Sequence, residues 1–338
     1  EFKTKDYVIL EAGTGVGKSA IAVTISRYLN NQPDYQDSED YQNCSYFLTT
    51  QKILQKQYIN DFQNVGDIED CYTMKNISSG SNYKCTFHCG VSCADGLRAL
   101  RITDKNSEFF RHCSQSCIYK RKKKEFIEEM DGVTNFSYFL AETMYVGEFI
   151  PRNLLIIDEA HNCDSELAKF IDVEISNDFV NQMLDIDLPK LKTKKDFYIW
   201  VRDVFEPTLT KKKIHLEETI AQKLEIGINH CDIVELMKQN ELYSKYGCKT
   251  RRFLKFYSPD NWILNEDNNT EMTSINFKPV DISKYSQELL FKYGRKVLFM
   301  SATIINKKRF CEINGLDIDK TAFLSIPSPF SPKNKPIY

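Results

Sequence analysis

The amino-acid sequence predicts an α/β fold with a parallel sheet, and three short apolar segments carry this prediction. They are "YVILEA" (7–12), "LLII" (154–157) and "KVLFMS" (296–301). Nearly continuous apolar runs of this length are typical of strands that helices cover on both faces. A further strand is predicted in "CSYFLTT" (44–50), and helical spacing follows it through "QKILQKQYINDF". Buried strands that alternate with helices favour a parallel sheet.

The distances between these segments predict two inserted units. Lys18 and Asp158 are 140 positions apart, and Asp158 and Ser301 are 143 apart, whereas a strand–helix–strand crossover needs about 30 residues. The first gap holds most of the cysteines, and the second has Leu and Ile at helical spacing. "NWILNEDNNTEMTSINFKPVDIS" predicts a hairpin that returns the chain to the sheet. The expected ranges are 1–75, 131–171 and 261–338 for the sheet domain, 76–130 for the cysteine-rich insert and 172–260 for a helical domain.

The composition indicates an intracellular protein in a reducing compartment. The chain has 338 residues, 42% of them hydrophobic, and its net charge of −2 excludes a globally basic nucleic-acid binder. Six of the eleven cysteines lie within the 47 residues from Cys71 to Cys117. A secreted disulfide scaffold would be smaller and would spread its cysteines through the fold. No run of about 18 apolar residues predicts a membrane helix. We therefore expect the cytoplasm or nucleus, with a viral source possible, and no membrane partner.

A glycine-rich turn after the first strand predicts a phosphate-binding loop. "AGTGVGKS" (12–19) fits the Walker A pattern, with Ala12 where glycine is more usual. Lys18 would reach the β- and γ-phosphates of ATP, and Ser19 would hold Mg²⁺. Backbone N–H groups would form an anion nest at Gly13, Thr14, Gly15, Val16 and Gly17. The alternative is a flexible turn before a helix, and the strand before it and the helix after it favour the nucleotide.

An acidic pair at the end of the second apolar segment predicts the partner of that loop. "LLIIDEAH" (154–161) brings Asp158 to the carboxyl edge of the sheet, where nucleotide sites lie. Asp158 would coordinate Mg²⁺ through water, and Glu159 would orient or deprotonate the attacking water. His161 would couple the nucleotide state to neighbouring segments. The alternative is that these acidic residues only stabilise a helix N-terminus. The presence of the phosphate loop favours the metal-binding interpretation.

The third apolar segment ends in "SAT" (301–303), where the hydroxyls of Ser301 and Thr303 would contact Asp158 or His161. In order, "EAGTGVGKS", "DEAH" and "SAT" resemble motifs I, II and III of superfamily 2 helicases. The resemblance implies a RecA-like P-loop sheet that hydrolyses ATP with Mg²⁺. "FLTTQKILQKQ" is similar to motif Ia, which implies that the nucleic-acid backbone contacts Thr49, Thr50 and Gln51.

The cysteine-rich insert narrows the resemblance. "GSNYKC" and "SCIYKRKKKEF" resemble the iron–sulfur DNA helicases of the XPD and DinG kind, and "KPVDIS", "SATI" and "SIPSPF" are similar to their segments around motif III. In that family a four-cysteine insert precedes motif II and a helical arch insert follows it. The resemblance therefore implies a 4Fe-4S cluster, an arch domain in the second gap and DNA unwinding with 5′→3′ polarity. We expect a monomer.

Five closely spaced cysteines are candidates for the four ligand positions. The resemblance implies Cys85 and Cys117 as the outer ligands. For the inner positions we favour Cys93 and Cys113, with Cys89 as the substitute. Unliganded cysteines are an alternative, but their density in a polar segment argues against it because free cysteine usually behaves as a small buried hydrophobe.

Iron–sulfur and zinc both suit such thiolates. His88 and His112 keep a structural Zn²⁺ site as the alternative, because zinc accepts mixed cysteine and histidine ligands.

A basic run follows the last of these cysteines. "YKRKKKEF" (119–126) combines positive charge with aromatic residues, which suits a DNA backbone and stacked bases. A solvated helix face is the more common explanation of a charge run. We expect Tyr119, Lys120 and Arg121 to contact single-stranded or forked DNA.

The expected partner of this chain is a second motor domain of the same protein. A superfamily 2 motor closes ATP between two RecA-like halves, and an arginine finger is worth about 10³–10⁵ in rate in related systems. No "QxxGRxxR"-like segment follows "SAT", and the chain opens on Glu1 rather than Met. We therefore expect the first motor domain of a longer protein, which binds ATP and DNA but hydrolyses ATP poorly alone.

Two other functions stay open at this point: a zinc-bearing P-loop translocase that does not unwind, and a non-catalytic DNA-binding module. Repair, transcription, recombination and replication all use motors of this kind, and fold-level analogy does not choose among them.

Overall fold

The computed structural model describes residues 1–36, 38–65, 72–87, 90–101, 103–190, 193–226, 230–266, 274–304 and 306–328. Its strands are β1 (Tyr7–Ala12), β2 (Gln42–Thr49), β3 (Asn64–Val65), β4 (Tyr72–Asn76), β5 (Asp131–Asn135), β6 (Arg152–Ile157), β7 (Val173–Ser176), β8 (Trp262–Glu266), β9 (Ser274–Pro279), β10 (Gly294–Ser301) and β11 (Thr321–Ile326).

The α-helices are α1 (Lys18–Asn30), α2 (Pro33–Gln36), α3 (Lys52–Phe62), α4 (Cys93–Leu100), α5 (Glu108–Gln115), α6 (Ile118–Glu128), α7 (Phe136–Ala141), α8 (Cys163–Ile171), α9 (Asn177–Phe179), α10 (Lys194–Trp200), α11 (Glu206–Ile226), α12 (His230–Phe256), α13 (Ser283–Leu289) and α14 (Lys307–Asn314). Short 3₁₀ or π-helical segments span Gly80–Asn82, Glu142–Val146, Ala160–Asn162, Val180–Leu184, Val201–Phe205 and Phe291–Tyr293. No described helix is both long and apolar enough to cross a membrane.

The chain forms two compact units, and the first combines Glu1–Ser79, Tyr119–Leu167 and Ile282–Tyr338. This unit contains an eight-stranded sheet with the strand order β11-β1-β10-β6-β2-β5-β4-β3. All neighbouring strands are parallel except the short β3, which pairs antiparallel with β4. The predicted α/β fold with a parallel sheet is therefore confirmed.

Burial on both faces explains the continuous apolar strands of this sheet. In β6 the residues from Leu154 to Ile157 are all inaccessible to solvent. Leu154 and Ile156 pack in one cluster with Ala22 of α1 and Tyr58 of α3. Because successive side chains of a strand point to opposite faces, the alternate residues are buried on the other side.

A buried polar network lies at the start of β5. The Asp131 carboxylate is 1% exposed, and its Oδ1 accepts a hydrogen bond of 2.5 Å from the Ser26 hydroxyl. Asn30 Nδ2 donates to Ser45 Oγ over 3.0 Å in the same network. Burial raises the pKa of Asp131 to about 6, against the lowering effects of Ser26 and of Arg27 and Arg152.

The second compact unit combines Gly80–Ile118 with Ala168–Asp281. Helix α4 of the cysteine-rich segment packs against α12, where Arg98 forms a 2.8 Å ion pair with Glu241. Aromatic rings fill the interior, with Phe277 4.6 Å from Phe197 and 5.4 Å from Trp262 between ring centroids. The helices predicted for 172–260 are present as α9 to α12, and β7 adds a strand to them.

The predicted hairpin is present as β8 and β9. The expectation that it joins the large parallel sheet is wrong. Strand β9 pairs antiparallel with β7, with Val173 opposite Phe277, and these three strands form a sheet of their own. The local alternation of the hairpin is compatible with either sheet. Its partner is decided by residues about 100 positions earlier in the chain, where Val173 and Ile175 are buried.

Candidate nucleotide-binding site

The predicted phosphate loop connects β1 to α1. Gly15 and Gly17 have φ angles of 84° and 82°, in the left-handed region that favours glycine. Gly17 is also the N-cap of α1. A glycine-rich turn that opens into a helix N-terminus presents backbone N–H groups to an anion.

The end of β11 lies directly against this loop, and that approach explains Gly13. A Cβ atom on Gly13 would lie 2.7 Å from the Cβ of Ser328 and 2.9 Å from its Cα. The Gly13 N–H donates to the carbonyl of Ile326 over 3.3 Å. Ser328 Oγ donates to the carbonyl of Thr14 at the same distance. The loop is thus held in place by the strand beside it.

Lys18 and Ser19 are the first residues of α1. In the described structure the Lys18 ammonium donates to the carbonyl of Ala12 over 3.3 Å, so it folds back across its own loop. Ser19 hydrogen-bonds towards Tyr58 of α3 and thereby opposes the rise in the pKa of the Tyr58 hydroxyl. The motifs of the sequence give no role to Tyr58.

Asp158 and Glu159 follow β6 at the carboxyl edge of the sheet. Asp158 is 6% exposed, and its Oδ2 accepts a 3.2 Å hydrogen bond from the Tyr58 hydroxyl. Its Oδ1 accepts from the backbone N–H of Glu159 over 3.0 Å. Burial raises the pKa of Asp158, and the Glu159 N–H, the Tyr58 hydroxyl and the charge of Lys18 oppose that shift. Burial, with the nearby Asp158 charge, also raises the pKa of Tyr58 well above its usual range.

Glu159 has a strained backbone. Its φ of 52° and ψ of 47° lie in the left-handed region, which non-glycine residues rarely adopt. Strain of this kind clusters at functional sites, because only the surrounding structure holds it in place.

His161 connects the acidic pair to the end of β10. Its Nδ1 lies 2.9 Å from Ser301 Oγ and 3.4 Å from Glu159 Oε2. The backbone N–H of Thr303 donates to Ser301 Oγ over 3.2 Å, while the Thr303 side chain itself is exposed. Ser301 therefore joins two motifs that are 140 residues apart in the chain.

Glu11 is a second residue without a predicted role. Its Oε2 accepts a 2.6 Å hydrogen bond from the backbone N–H of Ile304, and its Oε1 accepts from Ser325 Oγ over 3.2 Å. Glu11 thereby fixes the turn after Ser301 to β1. A lone charged residue in the apolar "YVILEA" strand was the signal that could have identified it.

The residues predicted to contact nucleic acid divide into accessible and buried ones. Thr50 and Gln51 are accessible between β2 and α3, but Thr49 is completely buried and its hydroxyl donates to the Gln51 carbonyl. Thr49 therefore has no surface to offer to a nucleic-acid backbone, which corrects that part of the prediction.

On α6, Lys120 and Arg121 are exposed, whereas Tyr119 is only 7% exposed. The Tyr119 hydroxyl lies 2.8 Å from that of Tyr138. Tyr119 is therefore a core residue, and the predicted stacking on a base is corrected. Arg121 also lines a groove of about 480 Å³, together with Lys122, Lys75 and Asn76.

The four favoured cysteines line one small pocket. An antiparallel bridge between Lys84 and Ser92 brings Cys85 and Cys93 together, and the Cys85 N–H donates to Val91 O over 2.8 Å. Cys113 lies on α5, and Cys117 precedes α6.

A glycine and a histidine lie beside these thiols. Gly96 of α4 faces the pocket, where an added Cβ would lie 3.4 Å from Cys85 Sγ. The His112 Nε2 atom is 2.8 Å from Thr86 Oγ1. Among the described residues, no group of three or more His, Cys, Asp or Glu side chains is arranged to hold a metal ion. Cys89 and His88 lie outside the described residues.

Together, the sheet and this site define a class of protein. A phosphate loop after β1, an acidic pair after β6 and a serine of the intervening β10 in contact with His161 are the parts of a RecA-like domain of the helicase superfamily.

Comparison with known proteins agrees with this class. A family model described as "Type III restriction enzyme, res subunit" matches residues 2–184, more than half of the chain, and the chain belongs to this family. A search of curated proteins finds no significant match.

Two solved structures, an XPD helicase and a truncated XPD, each resemble the chain with a TM-score of 0.51 and identities of 15% and 16%. Each likeness covers 95% of this chain; the chain spans 58% of the first structure and 95% of the second. At these identities the likeness shows the fold. The chain is thus a helicase-superfamily domain, a class that uses ATP with Mg²⁺ and acts on nucleic acid.

Proposed function

We propose that the chain is the first motor domain of an ATP-dependent DNA helicase with 5′→3′ polarity and an iron–sulfur cluster. The observation that carries the proposal is the set of contacts at one edge of the sheet, where the phosphate loop, the Asp158–Glu159 pair and the His161–Ser301 contact meet. The resemblance in the motifs supplies the polarity and the preference for DNA.

The residues at this edge fit a magnesium–nucleotide complex. Ser19 and Asp158 offer a hydroxyl and a carboxylate oxygen, the hard ligands that Mg²⁺ prefers. Both residues act on the Tyr58 hydroxyl: Asp158 Oδ2 accepts its hydrogen bond over 3.2 Å, and Ser19 opposes the rise in its pKa. Held by Ser19 and Asp158, Mg²⁺ would neutralise negative charge on the phosphates.

The protein groups then have distinct tasks. The loop N–H groups and Lys18 bind the phosphates, and Glu159 orients the attacking water and accepts its proton. The strained backbone of Glu159 holds its carboxylate beside His161, which lies 2.9 Å from Ser301. Hydrolysis of the nucleotide would thus alter the contact between His161 and Ser301 at the end of β10.

Replacing Lys18 with alanine tests the nucleotide site. Removal of a charged hydrogen-bond donor is worth about 1.5–3 kcal/mol, which is about ten- to hundredfold in affinity. Calorimetric titration of Lys18→Ala with Mg²⁺–ATP should show that loss. The matched control is Lys308→Ala on α14, an exposed lysine of the same unit, which should bind as the wild type does. Equal affinity in both variants would contradict the assignment.

The iron–sulfur cluster is part of this proposal because four cysteine thiols lie together. Four thiols line one pocket, and the resemblance assigns four cysteine ligands to the cluster. Thiolates suit an iron–sulfur cluster and zinc alike, and the resemblance favours the cluster. When bound, the cluster would stabilise the fold of the cysteine-rich segment.

Metal analysis of anaerobically purified protein tests the cluster. Iron and acid-labile sulfide should be present in the wild type and lost in Cys93→Ser. The control Cys248→Ser changes a cysteine of the same unit outside the pocket and should retain the iron. A colourless protein that contains zinc instead would support the zinc-bearing alternative.

The exposed cations of α6 are the proposed contacts to single-stranded DNA. Each phosphate contact contributes about −0.7 to the slope of log K against log salt concentration. The double variant Lys120→Ala/Arg121→Ala should therefore bind single-stranded DNA more weakly, with a slope shallower by about 1.4. Lys308→Ala is again the control, and unchanged slopes would place the DNA elsewhere.

The hydrolysis step needs a second lobe in this proposal, because an arginine finger stabilises the transition-state charge. We expect DNA to stimulate ATP hydrolysis by this chain only weakly, and strong stimulation would contradict the requirement. With both motor lobes in one protein, forks with a 5′ tail should be unwound and forks with only a 3′ tail should not.

A further inference from the structure

Tyr58 lies between two residues of the proposed metal site. It is 2% exposed, and its ring packs with centroid distances of 5.5 Å to Phe47 and 6.2 Å to Phe62. Its hydroxyl donates to Asp158 Oδ2 over 3.2 Å and interacts with the side chain of Ser19. Buried polar atoms require such partners, and Tyr58 finds them in these two residues.

The phenol therefore uses the same oxygens that the proposed function assigns to Mg²⁺. Asp158 Oδ1 already accepts the Glu159 N–H, so Oδ2 is the oxygen whose partner is a movable side chain. A cation held by Ser19 directly and by Asp158 through water competes with the phenol for these oxygens. Because the Tyr58 ring packs against Phe47 and Phe62, a displacement of the hydroxyl disturbs the packing of α3.

Helix α3 connects this site to the proposed nucleic-acid contacts. It begins at Lys52, directly after Thr50 and Gln51. Tyr58 follows Gln51 by seven positions, which is about 10 Å along the helix. One rigid element thus carries a group at the metal site and starts at residues that face the nucleic acid.

We propose that Tyr58 is a positioning residue that couples the metal site to nucleic-acid binding through α3. Its hydroxyl holds Ser19 and Asp158 while the metal is absent, and metal binding releases the hydroxyl and shifts α3 together with Thr50 and Gln51. The inference rests on the proposed function for the roles of Ser19 and Asp158. Coupling between two binding sites is reciprocal, so nucleic acid must change the affinity for Mg²⁺ by the same factor that Mg²⁺ changes the affinity for nucleic acid.

The variant Tyr58→Phe keeps the ring and removes only the hydroxyl. The measurement is a calorimetric titration of Mg²⁺ into the ADP-loaded chain, with and without a single-stranded DNA oligonucleotide. Without DNA, the variant should bind Mg²⁺ about two- to tenfold more tightly, because a competing hydrogen bond is gone. DNA should change the Mg²⁺ affinity of the wild type and leave that of the variant unchanged.

The matched control is Tyr46→Phe. Tyr46 is also buried, lies on the strand before α3 and donates to the Ile150 carbonyl over 3.0 Å, away from the metal site. This control should keep the wild-type Mg²⁺ affinity and the wild-type effect of DNA.

Three results would overturn the inference: equal Mg²⁺ affinity in the wild type and Tyr58→Phe, weaker Mg²⁺ binding by the variant, or a wild-type Mg²⁺ affinity that DNA does not change. A wild-type chain that binds no Mg²⁺–nucleotide would refute the proposed function as well. The two failures are therefore distinguishable.

Discussion

Asp131 makes the stability of the sheet unit depend on pH, in a direction opposite to that of most carboxylates. The pKa of this buried group is raised to about 6, whereas an aspartate in an unfolded chain ionises near 3.9. The folded state therefore binds the proton more tightly, and the free energy of unfolding falls as the pH rises from about 4 to about 6. At about 1.36 kcal/mol per pH unit, this carboxylate costs about 3 kcal/mol above pH 6.

The variant Asp131→Asn removes this titration and keeps the shape of the side chain. Its Oδ1 can still accept from Ser26, and Oδ2, which has no hydrogen-bond partner in the described part of the chain, becomes an amide. Urea unfolding at pH 4 and pH 7 should show the variant gaining about 2 kcal/mol relative to the wild type between the two pH values. The exposed Asp61→Asn on α3 controls for the loss of a charge. An Asp131→Asn difference that does not change with pH would refute the reasoning.

Two further predictions concern the same unit. Lys123 lies 2.7 Å from Glu142 in a buried ion pair. Replacing Lys123 with methionine should destabilise the unit by about 3–5 kcal/mol in a urea titration, because an unpaired carboxylate stays buried. The control Lys124→Met, at the exposed neighbouring position, should change stability by less than about 0.5 kcal/mol. Gly132→Ala would bring a Cβ to 2.7 Å from the ring of Phe126, and thermal unfolding should show a loss of about 1–3 kcal/mol; wild-type stability would mean that the ring moves freely.

The sheet could be predicted from the sequence where burial on both faces leaves a continuous apolar run. Strands β1, β6 and β10 are of this kind, and each ends at a motif. Strand β7 could not be found in the same way, because it has only four residues and Glu174 interrupts it. Its pairing with β9 depends on contacts between distant parts of the chain, which periodicity does not contain.

The residues of the functional site could be predicted where they belong to short sequence motifs. Tyr58 was missed because its role depends on the packing of α3 against β2, β4 and β5. On α6 the charge run concealed a helical period, since Tyr119, Lys123 and Phe126 follow the spacing i, i+4, i+7 and all three are buried. Counting that period through the lysines would have assigned Tyr119 to the interior.

The position of β1 has a consequence for the synthesis of the protein. This first strand lies between β10 and β11, with Tyr7 opposite Val297 and Thr321. At about 5–20 residues per second, a ribosome needs about 15–60 s to deliver those partners. During that time the nascent chain carries an apolar strand with two unpaired edges, which is a substrate for chaperones and a route to aggregation. All residues of the second unit have been synthesised once Asp281 is added, so this unit can fold before the strands that pair with β1 exist.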